Sequence, residues 1–245
     1  MPRVLERRIA PYLQLTYNER DALDWLERRE RSFVAGDIVV AEGGPSDPLF
    51  IVGSGWLHSS VRVADGTRQI MQFHFVGDLT TAHSIAWYES AATVTAVSAC
   101  LLYEVPREAF GRIFAQHPRL AAMFFTLAAA DHVATCDRLV SIGRNSGMDR
   151  IATLLLELRA RLRIVDGDEG ATFQLPLTQQ DLGDATGLTK AHVNRSLRAW
   201  EEIGLIVRTG RMICITDVSE LSARVGFRDR HAVVATGWLP PPASK

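Results

Sequence analysis

After Pro118 the chain runs RLAAMFFTLAAADHVATCDRLVSI, with neither glycine nor proline until Gly143. Such a run favours one solution, a long helix, and Leu120, Phe124, Leu127, Leu139 and Ile142 fall on roughly one stripe of it. The apolar surface is wide enough to pack on a β domain on one side and on a second copy of itself on the other. Those five residues are therefore the expected dimer interface, although Asp131 and Thr135 interrupt any strict heptad. The helix divides the chain into a front and a back of different texture.

In front, TYNERDALDWLERRE opens with Thr16 and places Glu19 three residues later, a capping-box spacing followed by Leu23 and Leu26 at helical intervals. From Phe33 to about Val105 the runs are short and β-rich: IVV, LFIV, WLHSSVRV, QIMQFHF, TVTAV and LLYEV, separated by glycine turns. This spacing predicts a small roll or barrel of antiparallel strands. Asp65-Gly66 predicts a tight type I′ hairpin turn, with both residues at positive φ.

Behind the helix, residues 144–150, RNSGMDR, read as a polar hinge, and IATLLLELRARL as a further helix ending near DGDEG. GLIVRTGRMICITD predicts two short strands about Thr209-Gly210, then a helix capped by Asp217. The proline-rich end, GWLPPPASK, reads as loose. The expected fold is α+β: a jelly-roll-like β-roll with an N-terminal helix over 1–116, a dimerisation helix over 117–143, a winged helix-turn-helix over 144–228, and a tail over 229–245.

Bulk properties narrow the function. With 47% apolar and 22% charged residues, 245 residues can fill two modest cores. No apolar run approaches the ~18 residues of a membrane span, and MPRVLERRIA lacks a signal-peptide core, so the expectation is a cytoplasmic protein without a membrane partner. Cys100, Cys136 and Cys214 form no CxxC pair, and the seven histidines show no HExxH or paired ligand spacing, so no metal site is expected. No nucleophile-base constellation or P-loop points to an enzyme. A net charge of −1, from 27 basic and 28 acidic residues, leaves nucleic-acid binding to the local distribution of charge.

That distribution is informative in TQQDLGDATGLTKAHVNRSL, residues 178–197. Two helices that cross closely need a small residue in the first, a residue tolerant of unusual φ between them, and apolar contacts where they meet. Gly183, Gly187 and the set Leu182, Leu188, Val193 and Leu197 supply these in order, with Thr189 capping the second helix. Lys190, His192, Asn194, Arg195 and Arg198 then lie on the outward side, where they can meet a major groove. Thr178, Gln179 and Thr189 at the helix starts, with Arg211 beside Arg208 at the wing tip, complete the candidate DNA-binding set. The competing reading is an αα-hairpin with a solvated charged face. The following wing favours DNA.

From about Leu15 to Val225 this order of elements resembles the Crp/Fnr family of bacterial transcription regulators. LTQQDLGDATGLTKAHVNRSL resembles the family signature, with Lys190 and Arg195 on base-reading positions, Ala191 where an acidic reader is frequent, and Thr186 and Ser196 where apolar residues are usual. The resemblance implies a homodimeric, sequence-specific regulator whose partners are double-stranded DNA, RNA polymerase and a small effector of unknown identity. Alternatives are a haem- or other ligand-dependent sensor of the same fold, and a nucleotide-binding scaffold that binds no DNA.

The resemblance also marks effector candidates in FVGDLTTAHSIAWYESAATVTA. Gly77-Asp78-Leu79 resembles the ribose-binding turn of the cyclic-nucleotide branch, but that branch's phosphate-binding Arg-Ser pair falls on Ser90-Ala91. An enclosed phosphate would lose its charged partner and still pay desolvation, so control by cyclic AMP is not expected. Thr135 falls on an adenine-contacting position, with simple packing as the alternative. The iron-sulfur branch needs four thiolates, and residues 1–99 contain no cysteine. His83 falls where a haem-containing relative has an iron ligand, which makes haem the one cofactor to weigh against a buried, hydrogen-bonded histidine.

Overall fold

The computed structural model describes residues 3–167 and 170–242. They form two compact units, one holding the chain up to Val61, Phe73–Asp131 and the residues from Val233, the other Arg62–Gln72 and His132–Ala232.

The first unit begins with α1 (Val4–Ile9) and α2 (Tyr17–Leu26). Thr16 and Glu19 make the expected capping box, with the Thr16 N–H donating to Glu19 Oε2 at 2.7 Å. Helix α1 was not anticipated. It buries Val4, Leu5, Arg8 and Ile9 but has no side-chain cap of its own. Its cap is tertiary: the Glu27 carboxylate accepts from the Val4 N–H at 3.1 Å and the Leu5 N–H at 2.8 Å. Burial pushes the Glu27 carboxyl above its usual range, even though both N–H donors and Arg3 oppose the shift.

Seven strands follow: β1 (Glu30–Phe33), β2 (Ile38–Val40), β3 (Leu49–Ser54), β4 (Leu57–Arg62), β5 (Arg68–His74), β6 (Thr93–Ala96) and β7 (Cys100–Val105). They form sheets of order β1-β7-β3 and β2-β6-β4-β5, and β1-β7, β3-β7, β2-β6 and β4-β6 pair antiparallel. Phe50, Val52, Leu57, Val94 and Leu102 fill the roll. Helices α3 (Arg107–Gln116) and α4 (Pro118–Arg144) complete the elements that open in this unit. A second core joins Leu5, Ile9, Leu23, Ile51, Phe110 and Met123.

That second core corrects the expected dimer interface. Leu120 and Leu127 are buried in it and Phe124 packs against it, while Ile142 is half-buried and Leu139 alone of the five is exposed, at 70%. A helix apolar on several sides does not reveal which side its own domain consumes.

In the second unit the β4–β5 turn also departs from expectation. The Val63 N–H donates to the Thr67 carbonyl at 3.0 Å and the Gly66 N–H to the Val63 carbonyl at 2.9 Å. Gly66 has φ +82°, and no non-glycine residue among those described has positive φ, so Asp65 does not adopt the type I′ conformation. A three-residue loop needs only its last residue left-handed. The Asp65 carboxylate instead accepts from the backbone N–H and hydroxyl of Thr67.

The rest of this unit is α5 (Gly147–Asp166), β8 (Thr172–Gln174), α6 (Gln179–Thr186), α7 (Lys190–Glu202), β9 (Ile206–Thr209), β10 (Met212–Ile215) and α8 (Val218–Val225). Asp217 caps α8 as expected. The wing has an unanticipated third strand, in the order β8-β10-β9. The end of the chain is not loose throughout: Asp229 pairs with Arg163 at 3.0 Å, Arg230 with Asp137 at 2.6 Å, and buried His231 meets Arg161 at 2.8 Å. In the first unit, Val234 and Leu239 pack on the second core.

Replacing Glu27 by Ala leaves two N–H groups of α1 unpaired in buried surroundings and should cost ~1–3 kcal/mol, read as a lower urea midpoint at unchanged slope. A carboxyl raised in the folded state stabilises it below the unfolded pKa of about 4.3, and that contribution fades as pH rises through the folded value. The stability of Glu27→Gln relative to the parent should therefore rise as the pH increases above about 4.3.

Candidate nucleic-acid interface

The geometry of the candidate interface is set by how closely α7 approaches α6. A Cβ on Gly183 would stand 2.4 Å from the Leu188 carbonyl oxygen, so only glycine permits this crossing. Gly187 ends α6 in the left-handed region at φ +68°. The Thr178 hydroxyl and Asp181 form a capping box at the start of α6, and Thr189 caps α7 by accepting from the His192 N–H at 3.3 Å. Val193, Ser196, Leu197 and Trp200 form the buried face of α7, and Trp200 Nε1 donates to the Met148 carbonyl at 2.8 Å. Thr186 is buried where an apolar residue is usual, and its hydroxyl is satisfied by the Leu182 carbonyl at 2.7 Å.

Lys190, Ala191, His192, Arg195 and Arg198 are exposed on α7, and Thr178 and Thr189 are exposed at the two helix starts. Asn194 differs from expectation. It is half-buried and its Oδ1 accepts from Gln179 Nε2 at 2.8 Å, so Gln179 and Asn194 brace the two helices against each other.

At the wing, Gly210 takes φ +63° and Arg211 is exposed at the turn. Arg208 does not reach outward. Its guanidinium grips Glu201 of α7 at 2.7 and 2.6 Å, and those hydrogen bonds hold the Glu201 carboxyl below its usual range.

Sequence reasoning missed Arg68 on the β4–β5 hairpin, which lies in the same unit. Its Nη2 donates to Asp181 at 2.5 Å and its Nε to Asp184 at 2.7 Å. Burial raises the Asp181 carboxyl, but the Thr178 and Arg68 hydrogen bonds outweigh it and hold the group below the usual range. Arg68 thus counters the two acids of α6 beside an otherwise basic surface. No local signal could pair residues 113 apart in sequence.

The effector candidates lie mostly in the first unit, in a segment hydrogen-bonded within itself and to Gly43, Gly44 and Arg107. A Cβ on Gly77 would stand 2.7 Å from Arg8 Cβ, so α1 packs directly on this turn. Asp78 is buried, accepts from the Phe75 N–H at 2.9 Å and lies 3.5 Å from Arg8 Nε. Leu79 bridges to Ile51. The Ala91 N–H donates to Ser84 Oγ at 3.1 Å and Ser90 Oγ to the Ala92 carbonyl at 2.7 Å, while Arg107 donates to the Ser84 carbonyl at 3.0 Å. The side chain of His83 lies outside the described residues. Thr135 is exposed on α4, in the second unit. Among the described residues no helix is long and apolar enough to cross a membrane, and no three or more His, Cys, Asp or Glu side chains of one chain gather as a metal site.

Comparison with known proteins agrees with this architecture. Residues 30–117 match a model of the cyclic nucleotide-binding domain and residues 149–224 one of the Crp-like helix-turn-helix domain. The chain is 27% identical over 214 residues to the transcriptional activator protein Anr of Pseudomonas aeruginosa, covering 87% of each. It is 26% identical over 215 residues to electron transport regulator A of Shewanella oneidensis, covering 86% of this chain and 84% of that one. The solved structure of FixK2 from Bradyrhizobium japonicum aligns with a TM-score of 0.71 at 26% identity, covering 79% of this chain and 95% of that one. A roll that matches the cyclic nucleotide-binding domain model, a long helix and a Crp-like helix-turn-helix, in that order and at this coverage, make the chain a member of the Crp/Fnr family of transcription regulators.

Proposed function

We propose that the protein binds a near-palindromic DNA site as a homodimer, with α7 of each copy in successive major grooves about 34 Å apart. The observation that carries this reading is the row Lys190, Arg195 and Arg198, exposed on α7 while its opposite face is packed. Lys190 and Arg195 read base edges; Arg198 and, from the wing, Arg211 hold phosphates. The exposed side of α4, carrying Phe125, Val133, Leu139 and Val140, supports pairing with a second copy. RNA polymerase is the partner through which binding becomes regulation.

Selection of bound fragments from random DNA by the purified protein should return a two-fold motif. On that motif Arg195→Ala should lose ~1–3 kcal/mol and relax one position per half-site, whereas Arg211→Ala should weaken specific and random DNA alike. Equal loss on both DNAs for Arg195→Ala would reject base reading by that residue.

Cyclic AMP is not the signal in this reading. Position 90 carries no cation: Ser90 Oγ donates to the Ala92 carbonyl, Ser84 Oγ accepts from the Ala91 N–H, and the Ser90 backbone is paired with Gly43 and Gly44. Calorimetric titration with cyclic AMP should give no heat and leave DNA affinity unchanged; a saturable micromolar response would overturn this.

A further inference from the structure

Helix α4 turns a broad side outward, with Ala128, Val133, Thr135 and Val140 among its exposed residues, and one line runs along that side. Phe125, Ala129, His132, Cys136, Leu139 and Gly143 are all exposed, and their spacing alternates four and three, the a/d rhythm of a two-stranded coiled coil. Asp131 and Thr135, the expected interruptions, lie off this line. A second copy seated on it as a parallel pair sets each of these residues opposite its own counterpart across the two-fold axis. This step rests on the homodimer proposed above.

Two adjacent layers of that seam are not apolar. His132 and Cys136 stand one turn apart, with Nε2 3.8 Å from Sγ. Pairing would bury an imidazole and a thiol from each copy between the Ala129 and Leu139 layers, and buried polar groups require partners. The separation suits one shared ligand. Zinc bonds of about 2.3 Å to sulfur and 2.0–2.1 Å to nitrogen span 3.8 Å at an angle of about 120°, close to tetrahedral. Of the two carboxylates adjacent to these residues in sequence, Asp131 and Asp137, the latter is engaged by Arg230 at 2.6 and 3.1 Å.

We propose that the dimer holds one Zn²⁺ on its two-fold axis, bound by His132 Nε2 and Cys136 Sγ of each copy. Each thiol releases its proton to solvent on binding, so two thiolates balance the ion's charge and two neutral imidazoles complete a closed tetrahedron. The site is structural and clamps the seam. One chain supplies only half of it, two ligands of the four.

The test is a titration of full-length, metal-free, reduced protein with Co²⁺, with sedimentation run on the same samples. Expected are thiolate-to-cobalt and intense tetrahedral ligand-field bands that saturate at one Co²⁺ per two chains and are bleached by Zn²⁺. Both side chains are exposed in the single chain, so Cys136→Ser and His132→Ala should keep the circular dichroism of the parent. They should weaken Co²⁺ binding more than ~100-fold, beyond what loss of an outer-shell partner costs. A dimer with no such bands, or with bands that survive Cys136→Ser, overturns the site and leaves the homodimer standing. A reductant-sensitive dimer linked through Cys136 that takes up no metal does the same. A monomer with and without Co²⁺ overturns both.

Discussion

With any side chain at position 183, the Leu188 carbonyl oxygen would lie within 2.4 Å of its Cβ, and the lead into α7 would have to move away from α6. The outward row of cations depends on that approach. The angle of α7 decides whether Lys190, Arg195 and Arg198 share one accessible face, and Val193, Leu197 and Trp200 hold it only because the backbone comes close enough for them to pack. The Gln179–Asn194 hydrogen bond and the Arg208–Glu201 pair then lock α6 and the wing to α7. Residues that look like DNA contacts thereby become braces, and the charge left to meet DNA is smaller and better fixed than the list of basic residues suggests.

Helix α4 carries the second constraint. Its inner side is consumed by the chain's own core, where Leu120 and Met123 are fully buried, so only the outward side, with its line from Phe125 to Gly143, remains for a partner. That line is mixed: Phe125 and Leu139 supply apolar area, Ala129 and Gly143 allow close approach, and His132 with Cys136 supplies polar groups that an interface must satisfy. An interface built this way is specified by polar chemistry as much as by area.

Polar groups buried far from their sequence neighbours set the remaining geometry. Glu27 caps α1 from beyond the end of α2, and α1 then covers the turn at Gly77. Arg68 lies on a hairpin whose other residues read as ordinary strand, yet it neutralises Asp181 and Asp184 on α6. In both cases a single charged side chain satisfies two groups of another element, and neither arrangement leaves a periodicity or spacing to read.

What the sequence determined by itself was everything governed by local rules. Thr16 and Glu19 announce the start of α2, Gly183 and Gly187 the helix-turn-helix, Asp217 the start of α8, and the run after Pro118 the long helix, because caps, left-handed turns and unbroken helical runs depend on residues within a turn or two of each other. Tertiary structure alone decided which apolar side of α4 is core, that Asn194 and Arg208 turn inward, and that Arg68 reaches α6. Each of those outcomes is a competition among partners distant in sequence for the same surface or charge, and burial and hydrogen-bond satisfaction settle it only once the elements have come together.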